Sequence, residues 1–173
     1  MEMTSQGRLV PLEYRALIHK KKGDVMIEHA KIYTFDPATR TIFLTRSKDG
    51  KAGVKQSIKV LGERFPVDFL TAGFNFISGA DGPIRAGEHK EIVTFTDKGE
   101  QEIVIEVLSP DAWPKTTFFG KRSGTLLKVT LPTEILDTSG GAVYALLDEK
   151  FLPQRVIVEN VLGIGEVRGE LRK

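Results

Sequence analysis

Leu12-Glu13-Tyr14-Arg15-Ala16-Leu17-Ile18-His19-Lys20, followed by Lys21-Lys22-Gly23-Asp24 and then Val25-Met26-Ile27-Glu28-His29-Ala30-Lys31-Ile32-Tyr33-Thr34-Phe35, is the stretch on which the fold turns. Its first part alternates: Leu12, Tyr14, Ala16 and Ile18 share one side of an extended chain, and Glu13, Arg15 and His19 the other. A period of two belongs to a strand with one wet face. Gly23 supplies the positive φ that a tight reversal needs, so Val25–Phe35 returns as the partner strand. A loop centred on Gly23-Asp24 sets His19 opposite Glu28 and predicts an ion pair across the hairpin.

Outward from this hairpin the same grammar repeats. Asp36-Pro37-Ala38-Thr39 reads as a turn leading into a strand over Thr41–Arg46, and Lys48-Asp49-Gly50 as a hairpin turn into Gly53–Leu61. Further strands are predicted over Glu91–Thr96, Glu102–Leu108, Thr125–Leu131, Ala142–Leu147 and Arg155–Leu162, the last running on towards Leu171. Ile103, Ile105 and Val107 share one face and Glu102 and Glu106 the other, as in a sheet with one wet side. Between the two runs of strands, Asp68 is an N-cap, and Phe69, Leu70, Gly73, Phe74, Phe76 and Ile77 recur at helical spacing. One short helix over Asp68–Ile77 follows, although Gly73 and Asn75 are poor helix formers. The expected fold is mainly β: one strongly curved antiparallel sheet, a half-barrel, with the helix across its concave side. The polar residues 1–8 are expected to be a disordered or appended N-terminus, and 9–173 one domain, in keeping with a chain of 173 residues.

Composition excludes several functions. Lysine plus arginine number 25 and aspartate plus glutamate 23, a net charge of +2 without a long basic block, which is not the footprint of a dedicated nucleic-acid binder. Cysteine is absent, so disulfides, thiol catalysis and thiolate metal sites are out. No run approaches the roughly 18 apolar residues of a membrane-spanning helix, and Met1–Arg8 carries no signal-peptide pattern. Gly163-Ile164-Gly165-Glu166-Val167-Arg168-Gly169 lacks the helix a dinucleotide site needs after it, and reads as a glycine-kinked or bulged strand. Gly120-Lys121-Arg122-Ser123 resembles a phosphate loop only in composition. His19, His29 and His89 show no zinc-ligand spacing, and no nucleophile elbow is present. The expectation is a non-enzyme with no cofactor and no metal.

Two clusters keep two readings each. His19-Lys20-Lys21-Lys22 is a basic hairpin tip, drawn to phosphate or an anionic lipid surface, or else a solvated turn that keeps an edge strand from pairing. Phe65, Phe69, Phe74 and Phe76 place four of the ten phenylalanines within twelve residues. They either line a pocket beneath a movable lid or plug the open side of the sheet with their own side chains.

Longer matches lie towards the C-terminus. Ala142-Val143-Tyr144-Ala145-Leu146-Leu147-Asp148, Pro153-Gln154-Arg155 and Gly163 to Leu171 resemble the ending of the bacterial family known as domain of unknown function 3108. Upstream, Leu9 to Tyr14, Phe35-Asp36, Val67 to Ala72 and Ile84 to Glu88 resemble further motifs of that family. The family's first hairpin, which should precede Leu9, is missing, and Tyr144 stands where tryptophan is common. The resemblance implies a periplasmic or cell-envelope protein, similar in fold to the lipoprotein carrier and receptor, and it transfers no enzymatic activity, since none is established for the family. It further implies a lipid, acyl chain, other hydrophobic ligand or lipidated protein in the concavity of the sheet. The residues expected to meet that ligand are Phe69, Leu70, Phe74, Phe76 and Ile77. The alternative is a structural or protein-interaction module with a self-filled core. Loss of the first hairpin also leaves Leu12–Lys20 as an open edge through which a homodimer is expected.

Overall fold

The computed structural model describes residues 1–4, 7–120, 123–136, 138, 140–163 and 165–171. In chain order the elements are β1 (Glu2–Met3), β2 (Leu9–Val10), β3 (Glu13–Lys22), β4 (Val25–Asp36), β5 (Thr41–Lys48), β6 (Lys51–Lys59), α1 (Phe69–Ile77), β7 (His89–Thr96), β8 (Gly99–Leu108), β9 (Thr125–Thr130), β10 (Val143–Leu147), β11 (Pro153–Val158) and β12 (Val167–Glu170). Every predicted strand and the helix are present, with ends shifted by one to a few residues. The β3–β4 hairpin closes through Gly23-Asp24, with Lys22 opposite Val25 and His19 opposite Glu28. His19 Nε2 lies 3.1 Å from the Glu28 carboxylate, the cross-strand pair that the alternation predicts.

The protein is mainly antiparallel β with one α-helix, but the strands do not form a single half-barrel. They form a four-stranded sheet in the order β3-β4-β5-β6, a six-stranded sheet in the order β12-β11-β10-β9-β8-β7, and the small pair β1-β2. No sheet is strongly curled. The reason lies in the segment between β6 and β7. Past Lys59 the chain leaves the ladder and enters α1, and among the described residues its main chain bridges the outer edge of β7 only at Val67, whose N–H donates to the Val93 carbonyl at 3.0 Å. One bridge is not a strand, so main-chain pairing stops there and side chains join the sheets instead. Tyr33 meets Phe95 edge-on at 6.0 Å, and Tyr14 meets Phe69 at 5.9 Å.

Three apolar clusters result. The first packs Ala72 and Phe76 of α1 against Ile92, Ile103, Ile105, Val107, Leu127 and Leu147 of the six-stranded sheet. The second gathers Tyr33, Phe35, Ile42, Leu44, Val60 and Phe95 between the sheets. The third covers the opposite face of the six-stranded sheet, where Trp113 and Phe119 pack on Leu126, Leu146 and Ile157. The predicted one-sided face of β8 therefore holds: Ile103, Ile105 and Val107 are buried under α1, and Glu106 faces away to meet Lys128 on β9 at 2.6 Å.

Two expectations change at the ends of the chain. Residues 1–8 are not loose throughout: Glu2 and Met3 pair with Val10 and Leu9, and Arg8 forms an ion pair with Asp81. The final strand does not run straight to Leu171. After β11 the chain reverses through Asn160, Gly163 and Gly165, all at positive φ, and β12 returns antiparallel on β11. The glycines that read as a kink make a hairpin, because a left-handed backbone at three nearby positions turns a chain instead of bulging it.

Candidate functional site

Asp68 starts α1 as predicted. Its Oδ1 accepts the backbone N–H groups of Leu70 and Thr71, each at 3.0 Å, and its Oδ2 accepts the Thr71 hydroxyl at 2.5 Å. That arrangement satisfies two of the amides that a helix start leaves open. Asn75, a poor helix former in mid-helix, is fully buried and serves another purpose. Its side-chain oxygen accepts the Leu9 N–H at 2.7 Å, and its amide donates to the Leu9 carbonyl at 2.8 Å. One side chain thus pairs with β2 as a neighbouring strand would.

The five residues expected to meet a ligand do not converge. At 100° per residue, α1 carries two apolar stripes. Phe69, Phe76 and Ile77 face the first cluster, and Phe76 is only 2% exposed. Leu70 and Phe74 face solvent at 48% and 53% exposed. Of the five, only Phe69 borders the hollow between α1 and the four-stranded sheet. That hollow measures about 170 Å³ and is bounded also by Tyr14, Ala16, Ile18, Lys31, Tyr33, Phe95, Asp97 and Ile135. Pockets that enclose small molecules run to about 300–1,000 Å³. Beside this hollow, Ala72 and Phe76 of α1 pack directly on the six-stranded sheet.

Polar groups rim this hollow. The Lys31 ammonium lies 2.5 Å from Asp97, and the hydrogen bond it donates holds the Asp97 carboxyl below the usual carboxylate range. Burial, reinforced by the charge of Asp97, pushes the Tyr33 phenol up to about 12. Burial raises Tyr14 and Tyr144 as well, with the carboxylate of Asp68 adding to the first and that of Glu159 to the second. The consequence for stability has a definite sign. An unfolded tyrosine ionises near pH 10, so above that pH the unfolded chain sheds a proton that native Tyr33 keeps. Stability held below about pH 10 is therefore lost as pH rises towards 12, by about 2–3 kcal/mol from Tyr33. Denaturant unfolding across that range should show the loss, and Tyr33→Phe should flatten it. A parent protein with no alkaline loss would contradict the burial of this phenol.

Two larger clefts lie on the outside. One, of about 820 Å³, follows the edge of β7 from His89 to Val93, between Arg8, Arg64, Phe65 and Asp81. Asp81 Oδ2 is buried there without a hydrogen-bond partner. The other, of about 750 Å³, lies between the turn after β10 and the end of β12, beside Arg155 and Glu170. Both are bordered by charged side chains, and neither includes any of the five α1 residues. Among the described residues, no group of three or more His, Asp or Glu side chains comes together as a metal site. No helix among the described residues is long and apolar enough to cross a membrane. The phosphate-loop-like Gly120-Lys121-Arg122-Ser123 falls partly outside the described residues.

The uncovered surface is elsewhere. In the outer half of the four-stranded sheet, Leu17, Ile18, Val25, Met26 and Val54 are all more than 40% exposed, and Val54 reaches 84%. Sequence reasoning marked the tip His19–Lys22 and the edge strand Leu12–Lys20 here, but not Val25, Met26 or Val54. Alternation cannot show that a strand's apolar side has nothing above it; the run of lysines on both neighbouring hairpins was the available signal. Fold and site together define a two-sheet β protein with a filled interior and a bare projecting sheet. Compared with known proteins, the chain matches no family model, no curated protein and no solved structure.

Proposed function

We propose that this protein is a non-enzymatic interaction module of the cell envelope that works through its outer surface, the projecting sheet β3–β6, with no small molecule held inside. The observation that carries this reading is the contrast between interior and arm. Phe76, Ala72 and Val67 fill the space under α1, while five large aliphatic side chains at the end of one sheet stay in water. Ile18 and Val25 lie on one face of that sheet end and Leu17 and Met26 on the other, and large apolar side chains left in water mark a place where something docks. Placement in the envelope rests on the motif resemblance alone.

An acyl ligand in the concavity is the reading this displaces, because a hollow of about 170 Å³ beside Phe69 is too small for one. Titration with a fluorescent fatty acid should give no saturable uptake, and native mass spectrometry should return the mass of the bare chain. Saturable binding, or a lipid carried through purification, would restore the ligand-binding reading. A homodimer remains one use of the same sheet, since β3 lies at its edge and is open to a second copy.

A further inference from the structure

We infer that the outer end of the sheet β3–β6 docks on an anionic lipid surface, through the face that continues the second apolar cluster; this rests on the outward-working reading above. Register places the side chains in rows. Tyr14, Tyr33 and Leu44 form the row that enters the core. Beyond it on the same face come Ala16–Lys31–Arg46, then Ile18–His29–Lys48–Lys51, then Lys20–Ile27, and at the tip Lys22–Val25. No aspartate or glutamate stands in any of these rows.

Asp97 reaches in from the β7–β8 turn to hold Lys31 at 2.5 Å and lies 3.9 Å from Arg46. Beyond that point Lys20, Lys22, Lys48 and Lys51 have no carboxylate partner among the described residues. The acidic groups of these strands turn to the opposite face, where Glu13 pairs with Arg15 and Glu28 with His19. The charge is also segregated along the chain. Residues 13–59 carry eleven lysines and arginines against five acids, a net +6, and the remainder carries fourteen against eighteen, a net −4. A molecule so polarised approaches an anionic surface with its arm first.

The composition of the face selects the occupant. Its cations beyond Arg46 are lysines, compact point charges suited to the diffuse field of lipid headgroups. Its exposed apolar residues, Ile18 and Val25, are aliphatic, and the aromatic rings of β3 and β4 on this face, Tyr14, Tyr33 and Phe35, are turned into the core. Single-stranded nucleic acid would need exposed rings for stacking. Guarding an open edge does not explain the pattern, because Lys48 lies on β5, an inner strand with both neighbours in place.

Co-flotation with vesicles tests the inference. The intact protein should bind mixed phosphatidylglycerol–phosphatidylcholine vesicles at least about tenfold better than phosphatidylcholine alone, and should release near 1 M salt, where screening acts within about 3 Å. Each lysine near such a surface is worth about fivefold in partition, so Lys22→Glu with Lys48→Glu should weaken binding about 25-fold or more. Lys115→Glu with Lys150→Glu makes the same change in net charge on exposed residues away from the arm. That control should bind within about twofold of the parent. Equal loss in both double variants, equal binding to neutral vesicles, no flotation, or displacement by a single-stranded oligonucleotide would each overturn the inference. A lipid found inside the protein would instead overturn the filled-interior reading and leave the vesicle result standing.

Discussion

Phe76→Ala should lower the unfolding free energy by about 3–5 kcal/mol, and Phe74→Ala, two residues away on the same helix, by less than about 0.5 kcal/mol. Phe76 is 2% exposed and lies among Ala72, Ile92, Ile103 and Ile105, so removing its ring leaves a void that packed strands cannot collapse into. Phe74 is 53% exposed, and its loss returns little apolar surface to water. In a chain of this length the first change should lower Tm by roughly 6–20 °C and the second by no more than about 2 °C. Denaturant melts of the two variants measure the contrast. Equal losses would mean that α1 sits on the sheet in a different rotation, which would invalidate the assignment of Phe76 as the plug.

Asn75→Ala should cost about 2–4 kcal/mol, far more than an asparagine-to-alanine change in a helix, where propensity alone favours alanine. The cost comes from Leu9. Its N–H and its carbonyl both pair with the Asn75 amide, at 2.7 and 2.8 Å, and truncation strands both groups at a site where the side chain was fully buried. A stranded polar group costs about 1–3 kcal/mol, less where water can reach it, and Leu9 itself is only partly buried. Because β1 is held through β2, hydrogen exchange should quicken at Leu9 and at Thr4, whose N–H donates to the Arg8 carbonyl, together. An unchanged Leu9 amide would show that β2 is anchored by something other than Asn75.

How much of this was legible depends on the range of the interaction concerned. The β3–β4 register was readable to the residue, down to His19 opposite Glu28, because a two-residue loop with glycine leaves one pairing and alternation leaves one inward face. The start of α1 was readable because Asp68 caps with atoms within three residues of itself. Asn75 looked like a defect in the helix because its partner, Leu9, is sixty-six residues away in the chain. The two stripes of α1 looked equivalent because Leu70 and Phe74 are as apolar as Phe69 and Phe76, and hydrophobicity alone does not say which stripe meets a neighbour.

The sequence by itself determined the order and kind of the elements from β3 to β11, the register of the β3–β4 hairpin and the one-sided alternation of β8, since each follows from dihedral preference and a period of two within a few residues. It determined the presence of a basic tip as well. Only the tertiary structure decided that the strands divide into two sheets at α1, that Phe76 packs on the six-stranded sheet while Phe74 does not, and that Lys20, Lys22, Lys48 and Lys51 come to one bare face. Those outcomes depend on which surfaces far apart in the chain exclude water from each other most fully, and that competition is settled among whole faces, not between neighbouring residues.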